Sequence, residues 1–139
     1  MELPQWIEKY ENKTGDKFKR DKRFELFFIP DKGFCEVGRL KNMLVINQLC
    51  GDIHYWYDKV TNAARNLEGV EMCGTWCIRK EVRAYIRLTG YEIIKTIKLA
   101  DGLEQYICRH KRTGKEGRIS PAYYDAGTGI RGYFVTWKP

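Results

Sequence analysis

Asp52 and His54 stand two positions apart in the run Cys50-Gly51-Asp52-Ile53-His54, where an apolar stretch gives way to a one-sided helical pattern. At a helix start these residue types could do acid–base work. An imidazole titrates near neutral pH, and a carboxylate beside it can take a proton directly or through water. Backbone N–H groups left unpaired there also attract anions, including phosphate and a developing oxyanion. Glu71 is a further carboxylate within reach of the argument, and Cys50 is a thiol that a helix start would make more acidic. Each residue has an ordinary structural role too. Asp52 is a good N-cap, His54 suits an exposed first turn, and no base and orienter for Cys50 are visible in the sequence.

The elements that must position these residues form the middle of the chain. Met43 to Leu49 reads as a covered strand, and Asp52 to Glu68 carries Ile53, Trp56, Tyr57, Val60, Ala63, Ala64 and Leu67 at helical spacing. Glu68-Gly69 stops the helix. A strand over Val70–Ile78, a shorter helix over Lys80–Thr89 ended by Gly90, and a strand over Tyr91–Leu99 follow. Strand, helix and strand predict parallel pairing through a right-handed crossover. Before this unit, Leu3–Tyr10 predicts a helix, and Phe24–Ile29 and Phe34–Val37 predict strands, with a turn over Gly38–Asn42. After it, Leu103–Arg109 pairs back, Lys111–Lys115 is a hairpin tip, Ser120-Pro121 opens a looser segment, and Gly132–Trp137 closes the chain as a strand. Val45, Ile46, Leu49, Trp56, Val60, Val70, Ile78, Ile86 and Leu88 are the expected core.

With 139 residues, 43% hydrophobic and 14% aromatic, the chain predicts one folded domain over 1–139, with no internal repeat. Within it, 1–23 is a peripheral N-terminal segment and 103–139 a divergent C-terminal part. No apolar run reaches membrane-spanning length and the start does not read as a signal peptide, so no membrane partner and a cytoplasmic location are expected. Five cysteines without a regular framework fit reduced thiols. Cys73 and Cys77 share a strand face with Thr75 and read as core fillers. With two histidines and no metal-binding spacing, no metal is expected.

The net charge of +7 is concentrated in two places. One is Lys17, Lys19, Arg20, Lys22 and Arg23; the other is Arg109, Lys111, Arg112, Lys115 and Arg118, with His110 among them. The candidate nucleic-acid-binding residues are Lys19, Arg20, Arg23, Lys111 and Arg112, placed to follow a phosphate backbone or an acidic protein. The alternative is solvated turns. Arg79, Arg83 and Arg87 could form a basic ridge or pair with nearby acids. Tyr123, Tyr124 and Tyr133 offer rings for stacking on bases or for core packing.

The element order, and above all the ending Ala84-Tyr85-Ile86-Arg87-Leu88-Thr89-Gly90-Tyr91, resembles the GCN5-related N-acyltransferase (GNAT) fold, in its small divergent bacteriophage and prophage forms. The likeness covers about Phe24 to Leu103. It implies an α/β (α+β) architecture, a GNAT-like mixed central sheet flanked by helices, in the cytoplasm of the phage host. It further implies transfer of an acyl group from acetyl-coenzyme A or another acyl-coenzyme A to an amine, with cofactor contacts at Cys50, Gly51, Asp52 and Ile53. The catalytic candidates are then His54 and Asp52 as bases and Tyr85 as the acid that protonates the leaving thiolate. The chain departs from the family pattern in two respects. Its loop has one glycine and an added carboxylate, and Tyr85 stands one position, about 100° of helix, from the usual tyrosine. These departures point to the alternative of a non-catalytic GNAT-like module that binds a nucleic acid or a host or phage protein through its basic clusters.

Overall fold

The computed structural model of the chain describes residues 1–78, 86–125 and 130–139. The fold class is the expected one, α+β, with strands in mixed sheet and helices flanking it. The elements are α1 (Leu3–Thr14), β1 (Glu25–Ile29), β2 (Gly33–Leu40), β3 (Met43–Gly51), α2 (Ile53–Arg65), β4 (Met72–Ile78), β5 (Tyr91–Lys98), β6 (Glu104–His110), β7 (Glu116–Asp125) and β8 (Ile130–Trp137). The chain divides within β4 into two compact units, Met1–Cys73 and Gly74–Lys138.

In the first unit β1, β2 and β3 pair antiparallel in that order. Helix α1 starts with Pro4 in its first turn and Gln5 reaching back to accept from the Glu2 N–H at 2.7 Å. It ends at Gly15, whose left-handed φ of 78° closes the last turn. Its apolar stripe buries Trp6 and Tyr10 against Phe34 and Cys50 of the sheet. Phe18 joins them edge-on, its ring centre 5.2 Å from that of Phe34. Helix α2 buries Trp56, Val60, Thr61 and Ala64 and packs on β3. A bulge interrupts the β2–β3 ladder: Glu36 faces Gln48, but Val37 faces Ile46. Asn47 is therefore the extra residue, and the bulge turns its side chain toward Glu36 beside that of Gln48.

The second unit orders its strands β4-β8-β7-β6-β5, and β5 through β8 form an antiparallel meander. One face buries Tyr91, Cys108, Ile119, Val135 and Trp137. Gly117 belongs to this face because a Cβ there would lie 3.1 Å from the Tyr91 ring. The register places Ile107, Arg118 and Thr136 in one row of the opposite face, and Ser120 and Phe134 in the next.

Several boundaries differ from those read in the sequence. The second helix ends at Arg65 rather than Glu68, and the strand after it begins at Met72 rather than Val70. β2 continues through Gly38 to Leu40. Gly38 is there for close packing, since a Cβ would sit 2.6 Å from the Phe24 ring, and the turn falls at Lys41, with φ 57°. Ser120-Pro121 lies inside β7. Pro121 sits where the β7–β8 register shifts, a place that tolerates a residue with no N–H to give. Residues 86–89 are helical, but Leu88 is 38% exposed and not core, and Leu49, Val70 and Ile86 are only half-buried.

Candidate functional site

The turn into α2 holds the residues proposed for chemistry, and its geometry is built mostly from their structural roles. Gly51 (φ 125°) and Gly33 (φ 95°) face each other at the end of the β2–β3 pair. A Cβ on Gly51 would collide with the Lys32 carbonyl, and one on Gly33 with the Cys50 carbonyl. Both glycines serve a close crossing of two backbones. The Lys32 carbonyl accepts from the Asp52 N–H and from the Trp56 indole N–H, each at 2.9 Å, which fixes the strand end to the helix.

Asp52 caps α2, accepting from the Tyr55 N–H at 3.0 Å, and its other oxygen lies 3.3 Å from Lys32 Nζ. The Tyr55 N–H holds the Asp52 carboxyl below its ordinary value against desolvation, with Lys32 and His54 adding to the effect. The anion at this helix start is thus the chain's own carboxylate. Lys32 and Lys59 each place an ammonium over the Tyr55 ring, at 5.4 and 5.5 Å from its centre. His54 is exposed on the first turn, Ile53 is half-buried, and Cys50 is buried in the cluster with Trp6, Tyr10 and Phe34. Tyr85, with Arg79 and Arg83, lies outside the described residues. The five cysteines are free and buried, and burial pushes the Cys73 thiol up to about 12 and that of Cys108 to about 11.

The N-terminal basic cluster is largely engaged in holding the fold. Glu36 is fully buried and accepts from Asn47 Nδ2 and Gln48 Nε2 at 2.8 Å each, from the Asp21 N–H at 3.2 Å, and from Arg20 Nη1. Desolvation drives its carboxyl up, but bonds from Gln48, Asn47, Asp21 and Arg20 together hold it below the ordinary glutamate value. Gln48 also donates to the Lys19 carbonyl at 2.7 Å, so the sheet grips the loop by backbone as well as side chain. Arg23 pairs with Asp21 at 2.8 Å, and its hydrogen bonds hold the Asp21 carboxyl down to about 2. Lys19 and Lys22 point their charge to solvent.

The second cluster is arranged differently. Residues 110–115 form the hairpin tip joining β6 to β7, with Gly114 at φ 73° and its N–H on the His110 carbonyl. His110 Nδ1 accepts from the Arg112 and Thr113 N–H groups, both at 3.1 Å, and so shapes the tip that presents Lys111 and Arg112. Arg118 pairs with Glu116 at 2.9 Å. Arg109, Lys111 and Arg112 are exposed and make no ion pair among the described residues.

Of the aromatic residues read as candidates for stacking, Tyr133 is buried, 7% exposed. Phe27 of β1 is 49% exposed, and in the second unit Trp76 of β4 keeps 44% of its surface exposed. A signal for it existed in the alternation of the strand. If Cys73, Thr75 and Cys77 share one face, Gly74 and Trp76 take the other.

Comparison with family models, curated proteins and solved structures finds no match to the chain. No helix among the described residues is long and apolar enough to cross a membrane. No group of three or more His, Cys, Asp or Glu among them could hold a metal ion.

Proposed function

We propose that the chain is a nucleic-acid-binding module whose contact surface is the β6–β7 hairpin of its second unit. The observation that carries this reading is the exposed pair Lys111 and Arg112 on the hairpin tip, which make no ion pair among the described residues, with Arg109 beside them in β6 between Glu92 and Glu116. Cations held on a short, shaped tip can take phosphates without first breaking internal pairs, which favours binding through counterion release. Acyl transfer from a coenzyme A thioester, the activity implied by the GNAT resemblance, is less well supported by the α2 turn. Asp52 is committed to the cap and to Lys32, and its charge opposes a pyrophosphate at that helix start.

An electrophoretic shift assay at low and at physiological salt tests the proposal. The protein should shift unrelated DNA or RNA probes at low salt and release them as salt rises. Lys111→Glu with Arg112→Glu should weaken binding to all probes alike while thermal unfolding stays unchanged, because phosphate contacts carry no sequence information. Absence of any shift at low salt, or indifference to the double reversal, would remove this function.

A further inference from the structure

The face of the second unit opposite its core carries aromatic, polar and cationic side chains in a continuous arrangement. Trp76 packs on Phe134 with ring centres 4.5 Å apart and planes inclined at 54°, yet keeps 44% of its surface exposed. Gly74 makes this possible. A Cβ there would stand 2.5 Å from Phe134 Cζ, so the missing side chain is what lets the Phe134 ring lie across β4. Ser120 is directly opposite Phe134 in the register, and Gln105 Nε2 donates to Ser120 Oγ at 2.8 Å.

The next row toward the hairpin is Thr136, Arg118, Ile107 and Lys95, strand by strand across β8, β7, β6 and β5. Beyond it come Glu116, Arg109 and Glu92, and then the tip with Lys111 and Arg112. Glu116 offsets Arg118 through their ion pair, while Lys95 and Arg109 have none among the described residues. From Glu116 to Ser120 is four strand residues, about 14 Å at roughly 3.4 Å each.

We infer that Trp76 and Phe134 are a stacking platform for the bases of single-stranded nucleic acid, its backbone led there from the hairpin past Arg109 and Arg118. The inference rests on the nucleic-acid reading above and adds the strandedness of the ligand. Stacking needs an open base face, which a duplex hides and a single strand offers. The rows beside the rings hold three cations, Lys95, Arg109 and Arg118, against two carboxylates, Glu92 and Glu116, and this polar, net-basic flank fits a phosphate-bearing strand better than an apolar protein surface.

Fluorescence anisotropy with a labelled oligothymidylate and with a duplex of matched length tests it. Trp76→Ala should weaken oligothymidylate binding about 5- to 150-fold, the range stacking on one base gives. Duplex affinity should stay within about twofold, and Trp76→Phe should recover most of the loss. Ultraviolet crosslinking of the wild-type chain to the oligothymidylate should map to the peptide holding Trp76 or to that holding Phe134, a readout independent of any variant's folding. Wild-type protein that binds neither probe at low salt would remove the proposed function and the platform together. Wild-type binding that depends on Lys111 and Arg112 but ignores Trp76→Ala, or crosslinks that avoid both rings, would overturn the platform alone and leave the rings to a protein partner.

Discussion

Glu36 and Arg20 form an ion pair in which the carboxylate is wholly buried while the guanidinium keeps 46% of its side-chain surface in solvent. The asymmetry divides the work. Arg20 brings charge to a place water does not reach, and the amides of the bulge residue Asn47 and its neighbour Gln48, with the Asp21 N–H, complete the shell around Glu36. The buried acceptor has enough donors to be satisfied. The N-terminal loop is held to the sheet by this one side chain, by Gln48 on the Lys19 backbone, and by Phe18 in the core under α1.

Removing the acceptor should therefore cost more than removing the cation. Glu36→Ala leaves the Asn47 and Gln48 amides and the Asp21 N–H without it, and the expected loss is about 3 kcal/mol. Arg20→Ala leaves three donors on Glu36 and should cost about 1–2 kcal/mol. Urea unfolding at neutral pH measures both as lower midpoints at unchanged slope. A Glu36→Ala protein within about 1 kcal/mol of wild type would show that these bonds do not hold the loop.

The same carboxylate sets an acid limit. Its folded titration lies below the ordinary value of 4.5, so the unfolded chain binds the proton first as pH falls. Its contribution is fully present above that value and is lost progressively below it, toward the lower folded value. Asp52 acts with the same sign from its ordinary 3.8. Unfolding free energy followed from neutral to acid pH should fall along this limb, and Glu36→Gln should flatten it. A variant whose stability declines with acid as steeply as wild type would assign the limb to other groups.

At the α2 turn, Gly51→Ala should be severely destabilising. It combines a left-handed φ with a collision on the Lys32 carbonyl, and the expected cost is at least about 2 kcal/mol. Asp52→Ala removes a cap and should cost about 1 kcal/mol. Thermal unfolding gives this order directly. Because of it, loss of a ligand in a bulky Gly51 variant would report unfolding, and Asp52→Asn, which keeps a capping oxygen, is the cleaner probe for acetyl-coenzyme A binding. If Gly51→Ala melts with wild type, the close crossing of β2 and β3 is not what the glycine serves.

The local elements were readable because their signals are local. The N-cap at Asp52, the stripe of Trp56, Val60 and Ala64, and the hairpin tip ending in Gly114 each follow from neighbours a few residues away. Glu36 was not readable. It stands among apolar residues in Phe34-Cys35-Glu36-Val37, and its burial depends on Arg20, Asn47 and Gln48, which the fold alone brings together. Gly38 and Pro121 mimic turn signals, but one serves packing and the other sits at a register shift. For the candidate site, the positions of Asp52 and His54 followed from the sequence, whereas the Lys32 partner that engages Asp52 comes from another strand end. The contact of Trp76 with Phe134 was hidden for a similar reason, since only the pairing of β4 with β8 makes the two rings neighbours.

The two basic clusters, alike in composition, should separate under salt titration. Neutralising Lys111 and Arg112 by alanine should lower the slope of log affinity against log salt by about 2, near 1 for each phosphate that no longer meets a cation. Thermal unfolding should not move, because both side chains are exposed and unpaired among the described residues. Arg20→Ala should do the reverse, lowering stability while leaving the slope nearly as it was, since the Arg20 charge is already matched by Glu36. Equal slope changes from the two sets would mean that the N-terminal loop binds phosphate despite its internal pairs, and the binding surface would have to be drawn to include it.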